Sequence, residues 1–423
     1  MKIAIIGTGI SGISMANMLK GSHEVVLFEK RATKGGLIQC ERVQDCLFHK
    51  VGGHVFNSRN QQVLDWFWSF FDKENEFIQA KRKAKIWMEG QFIGYPIENY
   101  LYQLPPTVAK KIITELIALQ PSRKASPFEY GDFGEFLQST FGATLYEYYF
   151  GPYNEKIWRA DLSKVAMEWL EGKLPMPNLT EVMQSNIVRE EESAMVHAHF
   201  YYPKENGSQF IVDRLSEGLD IRTGCAVNDW KKQADGSYII AGESGFDKIV
   251  YCGDIRQLPL SGKQLLVQSG IVDVSYIEQL RSNGTSNLFC ETDDNDISWL
   301  YLPDPSIKAH RIIYTGNFSD TNNRGSQRKT CVVEFSGKVD YEEMCAVIGQ
   351  LPGHLSPLAH NYEPNSYVIQ DHRTRPEIAA AKKVLAAEGI YLLGRFAEWE
   401  YYNMDKAVEA AFALNDVILG KNK

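Results

Sequence analysis

Residues 2–29, KIAIIGTGISGISMANMLKGSHEVVLFE, decide how the rest of the chain is read. Lys2 to Ile6 is a short apolar run suited to a strand, Gly12 to Lys20 has the character of a helix, and Glu24 to Phe28 is a second strand. The stretch is therefore a βαβ opening. Between the first strand and the helix stand Gly7, Gly9 and Gly12 in the spacing GxGxxG, with Ser11 among them. The first glycine permits a tight turn, the second lets the backbone approach a pyrophosphate, and the third lets the helix pack on the strand. The helix amino terminus then offers free N–H groups and a partial positive charge to a phosphate. Glu29, followed by Lys30, ends the second strand twenty residues after Gly9, where a carboxylate accepts hydrogen bonds from ribose hydroxyls.

These features predict a dinucleotide site but do not separate FAD from NAD. Two other segments favour FAD. In RATKGGLIQC, Gly35 and Gly36 follow the ribose carboxylate and suit a second close approach of backbone to cofactor. In LLGRFAEWEYYNMDKAVEAAFAL, Gly394 and Arg395 lead from a buried strand towards a helix beginning near Asn403, Met404 and Asp405. That helix is expected to aim its dipole at an electron-rich isoalloxazine ring, with Arg395 as a cation beside phosphate or flavin.

At 423 residues the chain should form two or three lobes around a cleft. Its hydrophobic fraction of 44% and charged fraction of 23% are ordinary for a globular protein. A net charge of −8 with interleaved signs argues against a nucleic-acid partner. Seven cysteines without a CxxC pair argue against a disulfide framework and fit a reducing cytoplasm. The apolar start is interrupted by glycines and is not read as a signal peptide, and no long uninterrupted apolar stretch predicts a membrane span. A cytoplasmic protein is expected, with no integral membrane association.

The fold class expected is α/β: a discontinuous Rossmann-like FAD-binding domain, a helical insertion, and a second, mainly antiparallel β-sheet domain. Residues 1–85, 200–265 and 385–423 are assigned to the first. VAKKIITELIALQ and FGEFLQSTFGATLYEYYF mark a helical cap over 98–190. WLYLP, HRIIYTGNF and TCVVEFS mark the sheet domain over 266–384, taken together with 86–97. His197 and His199 alternate on one strand without a third ligand in reach, so no metal is expected. The clusters DWFWSFF and YEYYF read as packing surfaces that could also bury an interface, and a homodimer is one expectation.

The chain also resembles the UDP-galactopyranose mutases, within a superfamily of FAD-containing amine oxidases, protoporphyrinogen oxidase-like enzymes and desaturases. The resemblance runs almost end to end. It is carried by GTGISG with Glu29, VGGHVF at Val51 to Phe56, GYPI at Gly94 to Ile97 and PYNEKIW at Pro152 to Trp158. It continues through WLEGKLPMPNL from Trp169, YYPKENGSQFI from Tyr201, SWLYLP from Ser298, HRIIYTGNFSD from His310, VEFS from Val333 and GRFAEWEYYNMD from Gly394. PYNEKIW and GRFAEWEYYNMD together are the segments most particular to the mutases.

What the resemblance implies is a reduced flavin whose N5 attacks the anomeric carbon of a nucleotide sugar, a UDP-hexose being favoured. Ring opening through a flavin iminium then interconverts pyranose and furanose without net redox change. A place in cell-surface polysaccharide biosynthesis follows from the same likeness. Gly53 and His54 resemble a loop against the flavin, and Tyr153 and Trp158 resemble aromatics that hold a uracil. Arg311 resembles an arginine gripping the substrate pyrophosphate, Tyr401 a tyrosine near the same phosphates, and Asn206 with Gly207 a turn beside the flavin. The residues expected at the chemistry are Arg311, Lys173 and His54.

Three positions depart from the pattern. Lys173 stands where the family has a second arginine, and a compact ammonium does not reproduce bidentate geometry. The tyrosine-proline pair expected near Gln370 and Asp371 is absent, although Tyr367 is close, and Asn403 stands where bacterial members have aspartate. A flavin oxidoreductase acting on an amine, alcohol or polyene, and a flavin-binding homologue that has lost catalysis, are the competing readings.

Overall fold

The computed structural model describes residues 1–167, 178–189 and 199–421. At its centre is a five-stranded sheet in the order Ile390–Leu392, Lys248–Tyr251, Lys2–Ile6, Glu24–Phe28, Asp220–Arg222. Every neighbouring pair is parallel. Strands from the beginning, the middle and the end of the chain thus meet in one sheet, as expected of a discontinuous Rossmann-like domain.

Because side chains alternate across a strand, this sheet feeds two cores. Ile3, Ile5, Leu27 and Val250 face helices Ile10–Leu19 and Met404–Ile418, where Ile13, Ala16, Val408 and Ala411 are buried. Ala4, Ile6, Val26, Phe28 and Ile249 face the other way, onto Trp230, Tyr238 and Phe246. Those three come from a small antiparallel sheet, Trp230–Lys232, Tyr238–Ile240 and Glu243–Phe246, so SYIIAG packs on the parallel sheet rather than joining it. Helix Thr374–Ala387 buries Ile378, Ala381 and Leu385 in the same core. It therefore sits on the parallel sheet, on the far side of the boundary drawn at 384.

The second sheet has seven strands in the order Ser356–Glu363, Thr285–Thr292, Lys329–Ser336, Ala309–Ile313, Trp299–Tyr301, Ala84–Met88, Gln91–Gly94. All pairs are antiparallel except Trp299–Tyr301 with Ala84–Met88. Leu300, Ile312, Val333 and Phe335 turn to helix Tyr341–Ile348 through Met344 and Val347. The alternation leaves Trp299, Tyr301, Arg311 and Glu334 on the opposite face.

The helical insertion begins with Pro106–Leu119, which has proline in its first turn and buries Ile112 and Leu116, one turn apart. Helix Phe133–Phe141 is capped by the Asp132 side chain, which accepts from the Glu135 amide, and buries Phe133, Phe136, Leu137 and Phe141. Gly151–Trp158 follows and carries the PYNEKIW segment. Among the described residues no helix is long and apolar enough to cross a membrane.

Candidate functional site

Between the two sheets runs a cleft of about 670 Å³. The glycine turn forms one end of it. Gly7 adopts φ +112°, its amide donates to the Phe28 carbonyl at 2.8 Å, and a Cβ on Gly12 would stand 2.1 Å from the Gly7 carbonyl oxygen. Gly12 is thus a packing glycine beneath the turn. A Cβ on Gly9 would meet no atom within 4 Å, so its open side faces the cleft.

Gly35 and Gly36 lie directly against this turn. The Gly35 amide donates to the Thr8 carbonyl at 2.9 Å, and a Cβ on Gly36 would stand 3.0 Å from the Gly9 Cα. Their left-handed φ values, +119° and +57°, suit glycine in their own right. Glu29, buried at the end of the second strand, accepts from the Thr8 amide at 3.1 Å and the Thr8 hydroxyl at 2.6 Å, and from the Arg31 amide at 2.9 Å. The Arg31 guanidinium bridges to Glu363 of the second sheet at 3.0 Å, joining the two halves over the cleft.

At the other end, Arg395 and the helix starting at Met404 face the loop Val51–His54. Arg395 donates from Nε to the Tyr402 carbonyl at 3.1 Å and from Nη1 to the Ser366 carbonyl at 3.3 Å, and Nη2 also donates to Tyr402. The Tyr401 ring lies 4.7 Å from its guanidinium carbon. Burial pulls its pKa down and Arg311 nearby adds to that effect. Burial, followed by the Arg395 charge, lowers the His54 pKa to about 4, so the imidazole is neutral near pH 7. Burial raises that of Asp405 in the first turn of the helix.

The floor is the second sheet. Arg311 lies across from Glu334 on the adjacent strand, and its Nε donates to Glu334 Oε2. Burial is the largest influence on both and opposes both charges, but the neighbours together outweigh it: Glu334 with Tyr367 raises Arg311 well above its ordinary value, and Arg311 with His310, 3.5 Å from the same carboxylate, lowers Glu334. Glu334 Oε1 also accepts from the Gly52 amide at 2.7 Å. With Nε committed to Glu334, the Nη end of the Arg311 fork is the part available to a ligand in the cleft it lines. Beside it, Arg82 lies between the Tyr95 and Trp299 rings, 5.2 and 5.3 Å from their centroids, and donates to the Tyr301 hydroxyl.

Of the residues expected at the site, Gly7, Gly9, Ser11, Glu29, Lys30, Gly35, Gly36, Gly53, His54, Arg311, Gly394, Arg395, Tyr401, Asn403, Met404 and Asp405 all line this one cleft. Tyr153 stands a layer back, 5.4 Å from the Tyr301 ring. Trp158 is a correction: helix Gly151–Trp158 turns its ring into the core, edge-on to Tyr367 at 5.7 Å and Tyr401 at 6.3 Å. It braces the cleft wall from behind. Asn206 and Gly207 are another: they start helix Gly207–Leu215 off the cleft, where Asn206 accepts from Arg42 and a Cβ on Gly207 would press on Tyr202 and Leu47. Lys173 and His197 lie outside the described residues.

Sequence reading did not single out Thr8, Arg31, Arg82, Trp299, Tyr301 or Glu334 for the site. Trp299 and Tyr301 were legible in principle, because period two in WLYLP places both on one face. Arg82, inside KRKAK, looks like part of a solvated charge run.

Residues 5–73 match the family model of NAD(P)-binding Rossmann-like domains. The chain is 22% identical over 426 residues to the UDP-galactopyranose mutase of Mycoplasma genitalium, spanning 96% of this chain and 92% of that protein. A 184-residue match at 27% identity relates it to the dTDP-fucopyranose mutase of Escherichia coli, over 41% of this chain and 46% of that protein. A solved reduced UDP-galactopyranose mutase superposes with a TM-score of 0.84 at 21% identity, covering 99% of this chain and 94% of that one. At that identity the superposition speaks for the fold.

Proposed function

We propose that this chain, a distant member of the UDP-galactopyranose mutase family, is an FAD-dependent enzyme that interconverts the pyranose and furanose forms of a nucleotide sugar without net redox change. A UDP-hexose is the favoured substrate. The observation that carries the reading is Arg395. Its guanidinium faces the cleft, and among the described residues it donates only to carbonyl oxygens and pairs with no carboxylate. A partly buried cation held only by neutral groups is stabilised further by an anion from outside the chain.

The residues present fit FAD. Gly7, Gly9, Ser11, Gly35 and Gly36 would hold the diphosphate and Glu29 the ribose, while Gly53, His54, Gly394, Arg395, Asn403, Met404 and Asp405 would hold the flavin end. Reduced flavin, when bound, supplies the nucleophile that receives the sugar's anomeric carbon. Arg311 would grip the nucleotide diphosphate through the Nη end of its fork and stabilise charge as that group leaves. Neutral His54 would present a hydrogen-bonding group without a competing cation, and Tyr401 would place its hydroxyl near the phosphates. Lys173 keeps its assignment as the second phosphate cation.

The test is to incubate the dithionite-reduced protein with UDP-, GDP- and dTDP-hexoses and search chromatographically for furanose isomers. Conversion of at least one member is expected. If none is converted while a simple amine or alcohol bleaches the oxidised flavin, the chain is an oxidoreductase instead.

A further inference from the structure

Beneath the cleft floor one carboxylate serves two elements that substrate and cofactor would touch from different sides. Glu334 is fully buried on the strand Lys329–Ser336. One of its oxygens accepts from Arg311 Nε and the other from the Gly52 amide. Both bonds draw on one delocalised anion, so a change in demand at one oxygen alters the acceptor at the other. The loop has little room to absorb such a change. A Cβ on Gly53 would stand 2.8 Å from Ile313 and 3.2 Å from Trp299, which face each other across the strand pair that also carries Arg311.

We propose that Glu334 is a positioning residue that couples diphosphate binding at Arg311 to the placement of the Gly52–His54 loop against the flavin. This rests on the substrate and cofactor reading given above. A diphosphate on the outer nitrogens of Arg311 shares the guanidinium charge with Glu334. The carboxylate then leans on the Gly52 amide, and the loop tightens. The coupling is reciprocal, so a loop held by the cofactor changes the affinity of Arg311 for the diphosphate.

The experiment titrates flavin-loaded protein with UDP, following binding by calorimetry and the loop by the flavin difference spectrum. In the wild type both should report the same Kd. In E334Q, UDP should bind at least about threefold more weakly, and the difference signal per bound UDP should fall by more than about half. A purely structural role predicts weaker binding with an unchanged signal per bound UDP, and that result overturns the proposal. If E334Q does not fold, amide exchange of residues 50–56 in the wild-type holoprotein decides: exchange should slow at least about threefold with saturating UDP, and unchanged exchange overturns the coupling. Yellow protein that binds no UDP removes the substrate reading and this proposal with it, whereas UDP binding without a spectral response removes the coupling alone.

Discussion

Thr8 delivers two hydrogen bonds to a single carboxylate oxygen of Glu29, one from its amide at 3.1 Å and one from its hydroxyl at 2.6 Å. The residue between the first two glycines of the turn therefore orients the acid at the end of the neighbouring strand, and each half of the dinucleotide site holds the other.

Replacing Thr8 with valine keeps the shape but removes the hydroxyl donor. A hydrogen bond to a charged group contributes about 1.5–3 kcal/mol, so Thr8→Val should weaken FAD binding by roughly tenfold or more. Fluorescence titration of apoprotein with FAD measures this directly. Unchanged affinity would mean that Glu29 is oriented without the hydroxyl.

Gly9 and Gly12 should fail in opposite ways. Gly9 has φ −68° and ψ 175°, a conformation open to any residue, and space around its missing Cβ, so Gly9→Val should fold normally and lose the flavin. Gly12→Ala would drive a Cβ into the Gly7 carbonyl and should destabilise the fold by more than about 2 kcal/mol. Urea unfolding and flavin absorbance of the two purified variants separate these outcomes. A yellow Gly9→Val protein would remove Gly9 from the diphosphate approach.

The Arg311–Glu334 pair adds a stability cost to what looks like a pure binding mutation. Arg311→Ala should weaken nucleotide-sugar binding while the protein retains its bound flavin. It also strands a buried carboxylate, at a cost of about 3–5 kcal/mol. The double variant Arg311→Ala with Glu334→Gln should recover part of that loss, because the stranded charge is gone. Urea unfolding of the two single variants and the double variant completes the cycle, and additive losses would show that the pair is not coupled.

Stability should fall on mild acidification for a reason centred on buried imidazoles. Burial, aided by the neighbouring His54, lowers the pKa of His49 to about 3, and burial with Arg395 lowers that of His54 to about 4. Between pH 6.5 and those values the unfolded chain binds more protons than the folded one, so stability drops as pH falls, by up to about 1.4 kcal/mol per unit for each histidine. Glu334 has a depressed pKa, and its contribution is lost only at lower pH, as its folded-state pKa is approached. Unfolding of the flavin-loaded protein at pH 7 and pH 5 should therefore show a loss that is smaller in His49→Gln. An equal loss in the variant would place the sensitivity elsewhere.

The sequence by itself determined the dinucleotide turn, the acid that follows it and the alternation of the strands, and it pointed to Arg395, Asn403 and Asp405, which line the same cleft. These are legible because their causes are local: a missing Cβ, a side-chain period, a charge beside a turn. Only the tertiary structure decided that Glu334 joins Arg311 to Gly52, 282 positions away, that Trp158 turns inward, and that Arg82 leaves its charge run for a place between two aromatic rings. Which buried charge meets which partner depends on strand register and on the packing of distant segments, and a residue's own neighbours in the chain do not encode either.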